Sequence, residues 1–307
     1  MKVVILAGGR GTRICEETVS KPKPMVTIGD MPILWHLMKI YSHYGLHDFI
    51  ICLGHKGEII KRFFEEYELR MSDVTFDMRE GKMKIHRRNQ EPWCVTLIDT
   101  GLDTGTGGRL KRVREYVKSE PFFFTYGDGL SDVNIDQLLR YHRKQGKLVT
   151  MTVSRHTSRF GVLKLTGDNV DEFVEKPVVD GSWMNSGFFV MQPEFLNFIE
   201  GDHTILEKNP IKKLVQQKQL AAFRHSGFFR GMDSMRDKNE LEALWEAKLA
   251  PWKKWVDGSH HTAESQAVQN GPNNGHDNHN GHHHNGHHRQ TRRLRAAKKI
   301  SRMVSTR

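Results

Sequence analysis

The chain opens with short apolar runs separated by segments whose apolar residues return every three or four positions. Val3-Val4-Ile5-Leu6 is apolar throughout and largely β-branched, the pattern of a strand covered on both faces. Between residues 31 and 44 the apolar positions Ile33, Leu34, Leu37, Met38, Ile40 and Tyr41 mark one side of a helix. Pro32 suits its first turn and Gly45 its end. Residues 48–54 repeat the buried-strand pattern, and Ile59, Ile60, Phe63, Phe64 and Tyr67 predict a helix over 57–69. Residues 74–78 and 83–86 alternate around Glu80-Gly81-Lys82, which predicts a hairpin laid on the edge of the sheet. Strands at 95–99, 122–126 and 148–153 follow, with a helix over 134–144.

From Arg159 onward strands outnumber helices, at 160–165, 170–174 and 183–191. Short helices at 194–199 and 210–218, a strand at 220–225 and a closing helix over 234–249 complete the pattern. Alternating strands and helices at this spacing predict an α/β fold. It is Rossmann-like: a mixed, mainly parallel sheet flanked by helices, with a smaller β-rich part. Asn, Gly and His dominate residues 258–288, and Lys and Arg take over to Arg307. Such a segment buries too little apolar area to offset the entropy of ordering its backbone. The pattern therefore divides the chain into one domain, 1–257, and a disordered tail, 258–307.

Composition changes this picture little. The hydrophobic fraction of 37% is low because of the tail. Of the net charge of +11, eight Lys/Arg against two acids from Gly258 onward place +6 in the tail and +5 before it. A mildly basic body suits small anionic substrates as well as nucleic acid. The tail's histidines can bind Ni²⁺ or Zn²⁺ weakly, and its basic end can touch anionic lipid or nucleic acid, but a passive extension needs neither. No nucleic-acid or membrane partner is expected. Cys15, Cys52 and Cys94 are widely spaced and odd in number, fitting neither a zinc site nor a disulfide framework. The first apolar run is shorter than a signal-peptide core, and no segment has the length of a membrane helix. A reducing, cytoplasmic setting is expected.

The candidate chemistry gathers at the ends of the predicted strands. Leu6-Ala7-Gly8-Gly9-Arg10-Gly11-Thr12-Arg13 follows the first strand, and Lys21-Pro22-Lys23-Pro24-Met25 lies shortly after. Three glycines let a polyanion approach the backbone, whose N–H groups can cradle phosphate. Arg10 and Arg13 add charge, and Lys23 adds a point-like cation between two stiffening prolines. The P-loop's Gly-Lys-Ser/Thr is absent, and the dinucleotide fingerprint fails because Ile14 stands where its last glycine belongs. Asp128 lies between Gly127 and Gly129, just past an apolar strand, where open α/β sheets bind ligands. It is either an ion-pair partner of Arg13 and Lys23 or a ligand of Mg²⁺. Asp233 by itself reads as the neighbour of a helix N-cap. Glu175-Lys176 by itself reads as a solvated loop.

The run Leu-Ala-Gly-Gly-x-Gly-Thr-Arg, then Glu17-Thr18, then Lys-Pro-Lys-Pro-Met resembles the signature of the sugar-1-phosphate nucleotidyltransferases. The likeness extends over residues 1–255. Val95-Thr96-Leu97-x-Asp99-Thr100-Gly101 and Thr106-Gly107-Gly108-Arg109-Leu110-Lys111-Arg112 resemble the cytidylyltransferase branch of that family, with Leu102-Asp103 a local departure. This resemblance implies a nucleotide site built from Leu6, Ala7, Gly8, Gly9, Arg10, Gly11, Thr12, Arg13, Lys23, Thr104, Arg109, Gly127 and Asp128. It makes Arg13 and Lys23 the catalytic cations, and Asp128 and Asp233 the ligands of Mg²⁺. Gly161, Glu175, Lys176 and Asn185 would bind the sugar phosphate in the β-rich part. Ser186 stands where a glycine is expected.

The implied reaction is attack by glucose 1-phosphate on CTP, giving CDP-glucose and pyrophosphate in a homo-oligomeric enzyme that feeds dideoxyhexose and surface-polysaccharide synthesis. A transferase using UTP or dTTP, and a nucleotide-binding regulator without turnover, are the competing readings. The implied reaction requires the carboxyl groups of Asp128 and Asp233 to lie close enough to share one cation, with the Arg13 guanidinium facing them.

Overall fold

Strands without a polar face need cover on both sides, and the chain supplies it with helices drawn from between the strands. The computed structural model describes residues 1–157, 162–166, 169–174 and 178–256, without the side chains of residues 13, 15 and 156–182. The tail over 258–307, and Gly161, Glu175 and Lys176, lie outside the described residues or side chains. Seven strands form the main sheet: β1 (Val3–Leu6), β2 (Asp48–Leu53), β3 (Cys94–Asp99), β4 (Phe122–Tyr126), β5 (Val149–Thr157), β6 (Val178–Met191) and β7 (Leu220–His225). Their order is β7-β5-β6-β4-β1-β2-β3. Only β6 runs against its neighbours, pairing antiparallel with β5 and β4; the other contacts are parallel.

The period of two distributes the apolar side chains to both faces. Val3, Ile5, Phe49, Ile51 and Phe123 share a core with the helix Ile33–Ser42, and Val4, Leu6, Ile50, Phe122 and Phe124 share one with the helix Thr106–Arg112. The mainly parallel, helix-covered sheet expected from the pattern is present. β1, β2 and β3 progress outward in one direction, after which the chain returns to the other side of β1 to form β4. Ligand crevices of α/β sheets open beyond the carboxyl ends of strands at such a reversal.

Two local expectations are corrected. The helix over 57–69 is two, Gly57–Glu65 and Tyr67–Arg70, because Tyr67 turns inward, donating to Glu91 and accepting from Trp35 Nε1 at 2.7 Å. The hairpin, Ser72–Asp77 with Lys82–Arg88, pairs within itself and forms a separate two-stranded sheet among the described residues. Phe76, Met78 and Met83 are exposed there, so the ribbon has no apolar face that would seat it on the sheet. A further ribbon, Gly129–Ser131 with Phe229–Gly231, was not evident from the pattern because each strand is only three residues long.

The last described residues return to the first long helix. Trp35, Trp245, Trp252 and Trp255 surround the buried ring of His36. His36 Nε2 lies 2.8 Å from the Ile28 carbonyl, and Trp252 Nε1 donates to His36 Nδ1 at 3.4 Å. Burial disfavours the charged imidazolium and pushes the His36 pKa down to about 4. The unfolded chain takes up this proton near pH ~6.5, whereas the folded chain does so only near 4. Folding stability is therefore present above that window and is lost as pH falls through it, by up to about 3 kcal/mol. Urea unfolding at pH ~7 and ~5 is expected to show this loss, and His36→Gln, which does not titrate, should flatten it.

Candidate functional site

The cleft lies where the carboxyl ends of β1 and β4 face each other, and its volume is about 630 Å³. Leu6, Ala7, Gly8, Gly9, Arg10 and Gly11 form one wall. The loop is fixed at its root: Ala7 N–H donates to the Cys52 carbonyl at 2.9 Å, and the Gly8 carbonyl accepts from His55 N–H at 3.2 Å. Gly11 takes a left-handed φ of +65°, which favours glycine, and turns the chain toward the one-turn helix Thr12–Ile14. Among the described residues, the main-chain N–H groups of Gly8, Gly9 and Gly11 meet no acceptor. Thr12 is exposed and outside the cleft wall, and the side chain of Arg13 is not among those described.

The segment after the loop is tied down from three sides. Thr18 Oγ1 donates to the carbonyls of Gly11 (3.0 Å) and Ile14 (2.9 Å). Lys56 Nζ donates to the Thr18 carbonyl at 2.8 Å. Glu17 pairs with Lys238 at 3.0 Å and Lys21 at 3.2 Å, and the Lys238 hydrogen bond holds its carboxyl below the usual range.

Lys23 begins the one-turn helix Lys23–Met25 and is buried. Its Nζ donates to Asp128 Oδ2 at 2.6 Å and to Asp233 Oδ1 at 2.7 Å. Asp128 follows β4 directly, and Gly127 N–H is bonded to the Leu6 carbonyl at 2.9 Å. The ribbon Gly129–Ser131/Phe229–Gly231 carries the distant segment in, and Met232 N–H closes on the Asp128 carbonyl at 2.8 Å. Asp233 then immediately precedes Ser234, which caps the helix Met235–Glu246 by accepting from Asp237 N–H. Asp233 thus neighbours an N-cap, and its carboxylate meets the same Lys23 ammonium as that of Asp128.

The opposite wall is the loop between β3 and the helix Thr106–Arg112, including Leu102, Asp103, Thr104 and Thr106. Arg109 borders the cleft yet is only 5% exposed. Its Nη1 donates to the Leu53 carbonyl (3.0 Å), Thr100 Oγ1 (2.8 Å) and the Gly101 carbonyl (2.7 Å), and its Nη2 to the Leu102 carbonyl (3.1 Å). A Cβ on Gly8 would stand 2.2 Å from Nη1, so glycine there admits the guanidinium. Arg109 thus shapes the wall through main-chain carbonyls, and burial lowers its pKa. Arg10 reaches across the mouth to Asp103 at 2.6 Å, both side chains exposed.

The structure brings together the first loop, Lys23, Thr104, Arg109, Gly127, Asp128 and Asp233. Asn185 stands at one side, its Nδ2 3.4 Å from the Tyr126 hydroxyl. Ser186, at the expected glycine, is buried with its Oγ 2.6 Å from Ser154 Oγ. Tyr126, His203 and Ile205 also line the cleft and were missed from sequence. Tyr126 had a usable signal, as the strand residue just before Gly127-Asp128; His203 and Ile205 lie in a segment without a motif.

Two carboxylates converging on one cationic nitrogen form a hard-oxygen donor set, which fits Mg²⁺ with phosphate oxygens and water as its other ligands. Among the described residues no cluster of three or more His, Cys, Asp or Glu offers a closed metal cage. No helix among them is long and apolar enough to cross a membrane.

The glucose-1-phosphate cytidylyltransferases of Salmonella typhimurium and Salmonella typhi are each 54% identical to the chain over 256 residues, covering 83% of it and 100% of the relative. A UDP-glucose pyrophosphorylase from Acinetobacter baumanii shares the fold, with a TM-score of 0.59 at 18% identity over 81% of this chain and 95% of that one. The nucleotidyl transferase profile matches residues 2–261. With that match and full-length relatives at such identity, the chain belongs to the nucleotidyl transferase family.

Proposed function

We propose that this enzyme transfers the cytidylyl group of CTP to α-D-glucose 1-phosphate, giving CDP-glucose and pyrophosphate. The observation that carries the reading is the 54% identity over the whole length of the Salmonella cytidylyltransferases. The cleft supports it by setting a glycine loop with open N–H groups beside a lysine held between two carboxylates.

In the proposed reaction a phosphate oxygen of the sugar phosphate attacks the α-phosphorus of CTP. The bond from that phosphorus to the bridging oxygen of the leaving pyrophosphate breaks in line. A phosphate dianion is already nucleophilic, so no general base is required, and catalysis consists of alignment and charge stabilisation. The N–H groups of Gly8, Gly9 and Gly11 receive triphosphate oxygens, and Arg13 holds the leaving pyrophosphate. Lys23, fixed by Asp128 and Asp233, lowers the repulsion between the two anions at the α-phosphate. Asp128 and Asp233 are the residues that would hold Mg²⁺, which when bound supplies Lewis-acid neutralisation of phosphate charge.

Thr104 and the carbonyls oriented by Arg109 face the base. Asn185, with Gly161, Glu175 and Lys176, holds the sugar phosphate. We assign this activity to residues 1–257 in the cytoplasm, in a homo-oligomer, with the product entering surface-polysaccharide synthesis.

Pyrophosphate release, measured with four NTPs and several sugar 1-phosphates, should be fastest with CTP and glucose 1-phosphate; a strong preference for UTP overturns the assignment of the base. Lys23→Met, Asp128→Asn and Asp233→Asn should each lower kcat by about 10²-fold or more while leaving a cooperative unfolding transition. Chelation should abolish wild-type turnover and added Mg²⁺ restore it. Deleting residues 258–307 should leave kcat and KM within about 2-fold, since the tail contributes no group to the proposed chemistry.

A further inference from the structure

A chain of hydrogen bonds with fixed polarity runs along the cleft wall away from Lys23. At one end Asn185 Oδ1 accepts the Gly187 N–H at 2.8 Å, which turns Nδ2 toward the Tyr126 hydroxyl, 3.4 Å away. The hydroxyl donates its proton to Glu207 Oε1. Glu207 Oε2 accepts from Thr106 Oγ1 at 2.8 Å, and Thr106 Oγ1 itself accepts the Leu206 N–H, also at 2.8 Å. A carboxylate only accepts and each hydroxyl has one proton, so every proton in the chain has a single destination.

The parts are held firmly. Gly187 has φ +80°, and a Cβ there would stand 2.7 Å from Tyr126 Cδ2, so its bare backbone packs on the ring. Phe124 and Phe189 meet the same ring edge-on at 5.6 and 6.0 Å. Burial, reinforced by the charge of Glu207, raises the Tyr126 pKa above the usual tyrosine range and keeps its proton in place. Tyr126 and Thr106 both line the cleft, and Glu207, itself exposed, joins their two hydroxyls. Thr106 opens the helix that carries Arg109 and so belongs to the nucleotide wall; Asn185 belongs to the other side.

We infer that Glu207 is a positioning residue that couples the nucleotide wall of the cleft to its Asn185 side, so that a substrate ordering one side favours binding at the other. The inference rests on the proposal that CTP and glucose 1-phosphate occupy these two sides. Only a carboxylate accepts from both hydroxyls at once; an amide at position 207 presents one acceptor and turns its donor toward the second hydroxyl. Coupling of this kind is reciprocal in binding free energy.

The test uses full-length Thr106→Val, Tyr126→Phe and Glu207→Gln. The dissociation constant of CTP is measured calorimetrically without sugar phosphate, and KM for glucose 1-phosphate at saturating CTP. Thr106→Val, near-isosteric and on the nucleotide wall, should raise KM for glucose 1-phosphate by about 5-fold or more. Tyr126→Phe should weaken CTP binding by about the same factor. Either change combined with Glu207→Gln should be no worse than Glu207→Gln alone.

Effects confined to each residue's own side, multiplying in the double variants, overturn the inference while leaving the proposed reaction intact. If Glu207→Gln fails to fold, the Thr106→Val/Tyr126→Phe pair decides, by the same criterion. A wild-type protein that prefers another nucleotide and sugar phosphate overturns the proposed substrates instead, and the variants are then read with that pair.

Discussion

One ammonium group, the Nζ of Lys23, joins segments that are 105 and 210 residues away in the chain. Without it the two carboxylates would repel each other with no cation between them. With it one of the two negative charges is offset, and the ends of β4 and of the ribbon strand Phe229–Gly231 are held against the first loop. The same pairing underlies the proposed chemistry, since it fixes the lysine at the cleft that the proposed anionic substrates would enter.

Arg109 plays the corresponding part on the opposite wall. A guanidinium with 5% exposure is costly to bury unless its donors are satisfied. Four hydrogen bonds from Nη1 and Nη2 to Leu53, Thr100, Gly101 and Leu102 offset that cost and bind the end of β2 to the loop after β3. Glycine at position 8 lets the planar group slide beneath the first loop. The pocket's shape is therefore maintained by buried charges at its two walls, while its mouth carries the exposed Arg10–Asp103 pair, which solvent screens and an arriving anion can rearrange.

On the wall opposite the first loop, the exposed Glu207 ties Thr106 to Tyr126 and through it to Asn185. Phosphoryl-type transfer between two anions gains most from alignment, and a shared acceptor is a direct way for two binding sides to keep a common geometry.

The strands of the sheet and the glycine loop were legible in the order of the residues. Uniformly apolar runs such as Val3–Leu6 and Phe122–Tyr126 admit little but buried strands, and glycines with interspersed cations after the first run mark a turn with open backbone N–H groups, because these are properties of neighbouring residues. The candidate acids were named from the chain, Asp128 by its place after a strand and Asp233 through family likeness. Tertiary structure alone decided that they converge: three-residue strands at Gly129–Ser131 and Phe229–Gly231 leave too short a pattern to read, yet their pairing brings position 233 to position 128. It alone decided, too, that the Arg109 guanidinium faces carbonyls and that Glu207 meets Thr106 and Tyr126. Those partners lie on separate segments, and hydrogen-bond direction depends on their positions in space, which local residue order does not encode.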